Sequence, residues 1–287
     1  MNYLELLKLS AENAGNILCM GLDPVVDTIP CAEKNVTDRI SDYFEQIFEQ
    51  MKKLDVRVAA FKPNLGYYAQ LDRPMDGKFD GSLALANTIR MIRDLFPDTP
   101  IILDSKRGDI ATSSLNYAKE AFTAWTADCV TVSPYMGTDS VMPFAFEDKG
   151  AYILNRTSNP GGKDLQNRME QSGEPFYMTV AKTIAMWHGE HSGMGAVVGA
   201  TNLKEFEDIA AFYADKDVPM LIPGVGSQGG TAPEVMDLMK KTGYPLYLAR
   251  INSSSGLTHP WKKAPAPEDY LDRVFAGLNK LTKETAI

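Results

Sequence analysis

Residues 101–106 read Ile-Ile-Leu-Asp-Ser-Lys, an apolar run that ends in charged and polar side chains. Seven further runs follow much the same plan, with nearly continuous apolar residues that give way to polar residues or glycine. They occupy residues 17–23, 59–64, 129–133, 152–158, 196–201, 220–226 and 245–250. This pattern is typical of strands that are buried on both faces of a parallel sheet.

Amphipathic stretches separate these runs. Residues 38–54 place apolar side chains close to helical spacing, at Ile40, Phe44, Ile47, Phe48 and Met51. Residues 112–127, 203–214 and 232–241 have a similar pattern. Eight buried strands that alternate with helices predict an α/β fold, a single (β/α)₈ barrel over residues 1–287. A doubly wound open sheet is the alternative architecture.

Composition and charge narrow the possible partners. Of 287 residues, 44% are hydrophobic and 23% charged, and the formal net charge is −8 with no basic run. We therefore expect neither nucleic acid nor an anionic membrane as a partner, although a small anionic ligand fits. Three scattered cysteines and the absence of a signal-peptide pattern or a long apolar stretch favour a cytoplasmic protein.

Charged residues gather at the end of the third predicted strand. Asp104 and Lys106 are two residues apart and therefore project to the same face, and Asp109 follows in the next turn. Lys62 ends the neighbouring strand and can reach the same space. The cluster is either a structural salt-bridge network or a site that moves a substrate proton.

A glycine-rich turn follows the seventh predicted strand. Residues 224–230 read Gly-Val-Gly-Ser-Gln-Gly-Gly, and Arg250 ends the next predicted strand. A dinucleotide site would need an acidic residue about 20 positions further on. A glycine turn, a helix start and an arginine instead suit a phosphate, at the position where barrels commonly bind one. A tight turn beside a surface arginine is the alternative interpretation.

Two other strand ends carry polar groups. Asp23 ends the first strand and can accept hydrogen bonds from ligand hydroxyls or cap a turn. Residues 155–161 (NRTSNPG) offer neutral donors and acceptors suited to a heterocycle edge, or form a plain turn. The histidines His188, His191 and His259 lack an acidic partner in the sequence, so no metal site is predicted.

The charged cluster resembles that of a known family. Asp104-x-Lys106-x-x-Asp109, together with Lys62, is similar to the Lys/Asp-Lys-Asp tetrad of the orotidine 5′-phosphate decarboxylases, and the length resembles the longer bacterial branch. Further matches occur in chain order at residues 21–23, 61–64, 157–160 and 223–230 and at Arg250.

This resemblance implies conversion of orotidine 5′-phosphate to UMP and CO₂, the last step of pyrimidine synthesis, by a homodimer without metal or organic cofactor. It implies that Lys106 protonates C6 of the pyrimidine while Asp104 lies against the substrate carboxylate. Lys62 would orient Asp104 and touch the ribose. Asp109 would come from the other subunit, with Ile110 beside it.

The resemblance also implies a set of substrate-binding residues. Asp23 would bind ribose hydroxyls, and Ser158 or Thr157 would meet the pyrimidine amide edge. Gln228 and Arg250 would hold the phosphate, with Pro223 and Gly226 in the same turn. The family usually has threonine where this chain has Ser113, so Ser113 or the preceding Thr112 would make a minor ribose contact.

Two other functions remain open on the sequence. A metal-dependent sugar-phosphate decarboxylase or aldolase of the same barrel superfamily would share the DxKxxD pattern, but would need an acidic metal ligand where Lys62 stands. A non-catalytic binder of phosphorylated ligands would gain nothing from two buried Lys–Asp pairs.

Overall fold

The computed structural model of the protein describes residues 1–225 and 230–287. Its eight strands are all parallel and lie in the order β2-β1-β8-β7-β6-β5-β4-β3. Bridges from Phe61 to Ile101 and from Asn64 to Asp104 join β2 to β3 and close the barrel. The strands are β1 Leu18–Leu22, β2 Ala60–Pro63, β3 Ile102–Arg107, β4 Cys129–Val132, β5 Gly150–Arg156, β6 Met194–Val198, β7 Met220–Ile222 and β8 Ala249–Ser253. The predicted (β/α)₈ barrel is confirmed.

Helices separate the strands along the chain. They are α1 Tyr3–Ala14, α2 Val36–Lys53, α3 Leu65–Ala69, α4 Asp80–Leu95, α5 Ala111–Lys119, α6 Thr138–Val141, α7 Lys163–Gln166, α8 Phe176–Glu190, α9 Leu203–Tyr213, α10 Ala232–Thr242, α11 Ser255–Thr258 and α12 Tyr270–Glu284. A π-helical turn, Glu120–Ala124, extends α5. None of the helices in the described ranges is both long and apolar enough to cross a membrane.

Local sequence explains where the helices begin and end. The Asn35 side chain accepts a hydrogen bond from the Asp38 N–H and so caps α2. Thr231 and Glu234 form a capping box at the start of α10, and Gly243 ends that helix in the left-handed conformation. Every residue of β1 and of β4 is buried, because side chains fill the barrel interior and helices cover its outer face.

The eighth strand begins later than the sequence pattern predicts. Residues 245–250 are largely apolar, but Leu246–Leu248 form a 3₁₀ turn and β8 begins only at Ala249. Short apolar runs do not by themselves distinguish a strand from a buried helical turn. As a result, Arg250 lies near the amino end of β8 and residues 252–255 reach the carboxyl end.

Candidate active site

A cavity of about 650 Å³ opens at the carboxyl ends of the barrel strands. Its volume suits a small ligand such as a nucleotide. Among the described residues, the polar and charged groups that line it are Asp23, Lys62, Tyr67, Asp104, Lys106, Thr131, Thr157, Ser158, Asn159, Gln166, Asn252, Ser253, Ser254, Ser255 and His259. Most of the strands therefore contribute side chains to one space, as in other barrels of this kind.

Asp104 lies between two lysines. Its Oδ2 accepts a hydrogen bond from Lys62 Nζ at 2.7 Å, and its Oδ1 accepts one from Lys106 Nζ at 2.6 Å. Lys62 and Asp104 are buried, whereas the side chain of Lys106 is 51% exposed. The structure thus brings together three of the four residues of the predicted cluster. Lys106 is the one that an entering ligand can reach.

The two buried members of this cluster hold each other in their charged forms. Burial by itself would raise the pKa of Asp104, but Lys62 and Lys106 outweigh it and hold the pKa well below its usual range. Burial would likewise lower the pKa of Lys62, but Asp104 and Asp23 outweigh it and raise the pKa above its usual value. Lys62 therefore keeps its proton near neutral pH.

Thr131 on β4 belongs to the cluster and was not predicted. Its hydroxyl donates to Asp104 Oδ1 at 2.8 Å and accepts from the backbone N–H groups of Ser105 and Lys106, at 3.0 and 2.9 Å. Lys106 has a φ of 45°, in the left-handed region that side chains rarely adopt. The Thr131 hydroxyl thus fixes both the carboxylate and the unusual backbone that carries the lysine.

Two buried acceptors in the cavity have no hydrogen-bond partner among the described residues. They are Asp23 Oδ1, just after β1, and Asn252 Oδ1, on the adjacent strand β8. A buried acceptor without a donor is costly, so these atoms suit the hydroxyl groups of a ligand. Asp23 was predicted for this role. Asn252 was missed because the eighth strand was predicted to end at residue 250, whereas β8 runs to Ser253.

Side chains of Gln166 and Arg156 hold the loop after β5 through hydrogen bonds to Thr157. Gln166 accepts a hydrogen bond from the Thr157 N–H at 2.9 Å, and its amide donates to the Thr157 hydroxyl at 2.9 Å. The buried Arg156 binds Glu205 at 2.5 Å and donates to the Thr157 carbonyl. Thr157 and Ser158 both line the cavity, but the Thr157 hydroxyl is engaged within the loop.

The phosphate-binding predictions fare unevenly. Pro223 lines the cavity and Gly224 adopts a φ of 92°, as a tight glycine turn requires. Gly226 and Gln228 lie outside the described residues.

The prediction that Arg250 binds the phosphate is wrong in this structure. Arg250 is completely buried and lies near the amino end of β8, away from the cavity. Its guanidinium donates to the carbonyls of Leu7, Ala59, Tyr247 and Ala249 and to the hydroxyl of Ser10. These hydrogen bonds link α1 and the residue that precedes β2 to β8, which is a structural role.

Three other predicted site residues do not line the cavity of this chain. Ile110 is half-exposed, Ser113 is exposed, and the Asp109 carboxylate accepts a hydrogen bond only from the adjacent Ile110 N–H among the described residues. All three lie at the start of α5, beyond the end of β3. Thr112 is likewise exposed there.

No group of three or more potential metal-binding side chains lies close together within residues 1–225 and 230–287. The residue at the end of β2 that contacts Asp104 is Lys62, a cation rather than a metal ligand.

Comparison with known proteins places this chain in a family. Residues 16–244 match the sequence profile of the orotidine 5′-phosphate decarboxylase / HUMPS family. Orotidine 5′-phosphate decarboxylase of Verminephrobacter eiseniae is 36% identical over 258 residues, 88% of each chain. The enzyme of the same name from Ralstonia pickettii is 40% identical over 231 residues, 80% of each chain.

A solved structure agrees with these sequence matches. The OMP decarboxylase of Leishmania donovani superposes with a TM-score of 0.75 at 28% identity and covers 99% of both chains. Both curated relatives carry the name orotidine 5′-phosphate decarboxylase, and their similarity extends over most of this chain. The chain therefore belongs to the orotidine 5′-phosphate decarboxylase / HUMPS family.

Proposed function

We propose that this chain converts orotidine 5′-phosphate to UMP and CO₂, the last step of UMP biosynthesis, as a cytoplasmic enzyme. The observation that carries the proposal is the position of Asp104, bound through one oxygen to Lys62 and through the other to Lys106 beside a cavity of nucleotide size. The names of the curated relatives support the same substrate.

The chemistry calls for a fixed cation at the reacting carbon. When the bond from C6 to the carboxylate breaks, CO₂ leaves and the electron pair stays on C6, in the ring plane and outside the π system. An ammonium held beside C6 stabilises that charge and then transfers a proton to it, which gives UMP. The neutral amine afterwards regains a proton from water, so the scheme requires no cofactor.

Lys106 suits the role of proton donor better than Lys62 does. The side chain of Lys106 is half-exposed to the cavity, whereas that of Lys62 is only 5% exposed. The raised pKa of Lys62 also makes it a poor source of protons. We therefore assign proton donation to Lys106 and the positioning of Asp104 to Lys62.

Asp104 would lie against the substrate carboxylate. Two carboxylates in contact repel each other, and the repulsion ends when CO₂ departs.

Enzymes lower reaction barriers by about 8–23 kcal/mol, which is more than one lysine supplies. Binding energy from the ribose and phosphate, remote from C6, would provide part of the remainder. In this proposal Asp23 and Asn252 accept from ribose hydroxyls, because their buried oxygens have no partner among the described residues. Ser158 meets the pyrimidine edge, because Gln166 already engages Thr157.

We further propose a homodimer in which Asp109 completes the neighbouring site. Asp109 and Ile110 follow β3, which carries Asp104 and Lys106, yet they do not line the cavity of the same chain. Ile110 is an exposed apolar residue. Mixing Lys106→Ala and Asp109→Ala variants after joint refolding tests this proposal. A mixed dimer holds one complete site, so about one quarter of wild-type activity should return. If the mixture stays inactive, Asp109 acts within its own chain.

The function itself is tested by the fall in ultraviolet absorbance as orotidine 5′-phosphate is consumed, with EDTA present. Turnover that EDTA leaves unchanged is the expected result. Activity that disappears with EDTA and returns with a divalent metal, or activity only on sugar phosphates, would instead favour a metal-dependent decarboxylase or aldolase. Binding of UMP without release of CO₂ from the substrate would indicate a non-catalytic binder.

A further inference from the structure

The proposed substrate has two anionic groups, and the two lysines of the cavity do not supply enough positive charge to balance them. Its described charged residues are Asp23, Lys62, Asp104 and Lys106, whose charges cancel. Residues 226–229 read Gly-Ser-Gln-Gly and carry no formal charge. The proposed substrate brings a carboxylate and a phosphate that is close to a dianion at neutral pH. With Arg250 at the other end of the barrel, the phosphate lacks the cation that the sequence predicts.

His259 is the remaining described residue of the cavity that can become a cation at neutral pH. His259 follows α11 and is only 8% exposed. It lies with Ser254 and Ser255 on the β8 side of the cavity. That side adjoins Pro223 and Gly224 after β7. The end of a barrel where strands seven and eight meet commonly holds a phosphate.

The hydrogen bonds around His259 leave one ring nitrogen available. The Thr258 hydroxyl donates to the Ser254 carbonyl at 3.2 Å, so it accepts from His259 Nδ1 at 3.1 Å. Nε2 has no hydrogen-bond partner among the described residues and bears a lone pair when the ring is neutral. Protonation converts Nε2 into a donor suited to an anionic oxygen.

The adjacent serines are held at the same place. A Cβ atom at Gly21 would lie 1.9 Å from Ser254 Oγ, so the absence of a side chain on β1 lets that hydroxyl lie over the strand. Ser255 lines both this cavity and its neighbour, as does His259. Hydroxyls of this kind are ready donors to phosphate oxygens.

We propose that His259, with the hydroxyls of Ser254 and Ser255, binds the phosphate of the substrate and takes up a proton at Nε2 as the phosphate enters. This inference rests on the proposed function for the identity of the phosphorylated ligand. In this proposal the predicted role of Arg250, a permanent cation, passes to a histidine that becomes charged only when the anion is present.

Several charged groups surround His259. Burial lowers the pKa of the imidazole, while the Asp23 carboxylate opposes that shift, so the free ring is mostly neutral above pH 7. A bound dianion acts in the same direction as Asp23 and raises the pKa. The adjoining cavity, which shares His259, is also lined by Asp27, Lys262, Lys263 and Lys280. Of these, Lys262 is the nearest to His259 along the chain and is the competing candidate.

Calorimetric titration of UMP and of uridine at about pH 7.5, in buffers with different ionisation enthalpies, tests the inference. Wild type should take up part of a proton with UMP and less with uridine. His259→Asn should weaken UMP binding about ten- to a hundredfold, change uridine binding by less than about threefold, and abolish the uptake. Lys262→Gln is the matched control and should preserve the uptake.

Three outcomes would overturn the inference. In the first, wild type takes up no proton with UMP, and in the second, His259→Asn loses equal affinity for UMP and for uridine. In the third, Lys262→Gln loses the preference for UMP over uridine while His259→Asn keeps it. The wild-type proton count decides even if His259→Asn fails to fold. If wild type takes up the proton with UMP but does not decarboxylate orotidine 5′-phosphate, the proposed function fails and the phosphate site stands. Turnover without proton uptake removes only the phosphate site.

Discussion

The Thr131 hydroxyl on β4 donates to Asp104 Oδ1 on β3 at 2.8 Å, and it also accepts from the backbone N–H that carries Lys106. One threonine therefore sets the position of the carboxylate and of the strained residue beside it. The cluster depends on the register of two strands as well as on its own charges.

Replacement of Thr131 with valine keeps the shape and removes the hydroxyl. Two part-buried N–H groups and one carboxylate oxygen then lose a partner, so Asp104 and Lys106 should shift. We expect kcat to fall about ten- to a hundredfold, because small misplacements of reacting groups are costly. UMP affinity should change much less. Steady-state kinetics and UMP titration measure the two effects.

Thr131→Ser is the control, since it restores the hydroxyl. If the serine variant is as slow as the valine variant, or if valine leaves kcat unchanged, Thr131 does not position the site.

Replacement of Arg250 with methionine should reduce stability and spare phosphate recognition. The change removes the buried guanidinium that donates to carbonyls in α1, just before β2 and in β8. We expect the free energy of unfolding to fall by about 3 kcal/mol or more. In the folded fraction, the ratio of kcat/KM for orotidine 5′-phosphate to that for orotidine should match wild type. Urea unfolding and kinetics on both substrates check these results.

A selective loss of the phosphorylated substrate in Arg250→Met would contradict the buried position of this arginine. It would restore the phosphate role that the sequence predicts.

Asp104 should make the free energy of unfolding fall as the pH is lowered. Its folded pKa is lowered, so its contribution is fully present above the unfolded pKa of about 3.9 and is lost as pH falls toward the lower folded pKa. Asp104→Asn should therefore unfold with a shallower loss of free energy between about pH 5 and pH 2 than wild type. Urea unfolding at a series of pH values measures this slope.

The single change also leaves Lys62 buried without its partner, which costs about 3–5 kcal/mol. The double variant Lys62→Met, Asp104→Asn should recover part of that loss and keep the shallow slope. A single variant with the wild-type slope would contradict the assignment of the acid sensitivity to Asp104.

Much of the fold and part of the site followed from sequence. The alternation of apolar runs and amphipathic stretches predicted the barrel, and the two-residue spacing of Asp104 and Lys106 predicted that they meet. Thr131 escaped notice because threonine is common in strands and needs no functional explanation. Its role depends on the register between β3 and β4, which no local pattern encodes.

Arg250 was misplaced for a related reason. The apolar residues of Leu246–Leu248 fit a strand as well as a buried turn, so the pattern set the start of β8 too early. That shift moved the arginine to the wrong end of the barrel and left Asn252 and His259 outside the predicted site. Gln166 was missed because no sequence pattern links it to Thr157, which its side-chain amide hydrogen-bonds in the folded loop.

The most direct test of the account is turnover of orotidine 5′-phosphate by Lys106→Ala, measured with EDTA present beside a titration of the same protein with UMP. The account predicts that wild type releases CO₂, and that the variant binds UMP but shows no detectable decarboxylation. Substantial turnover by Lys106→Ala would contradict the role of this lysine as the cation and proton donor at C6.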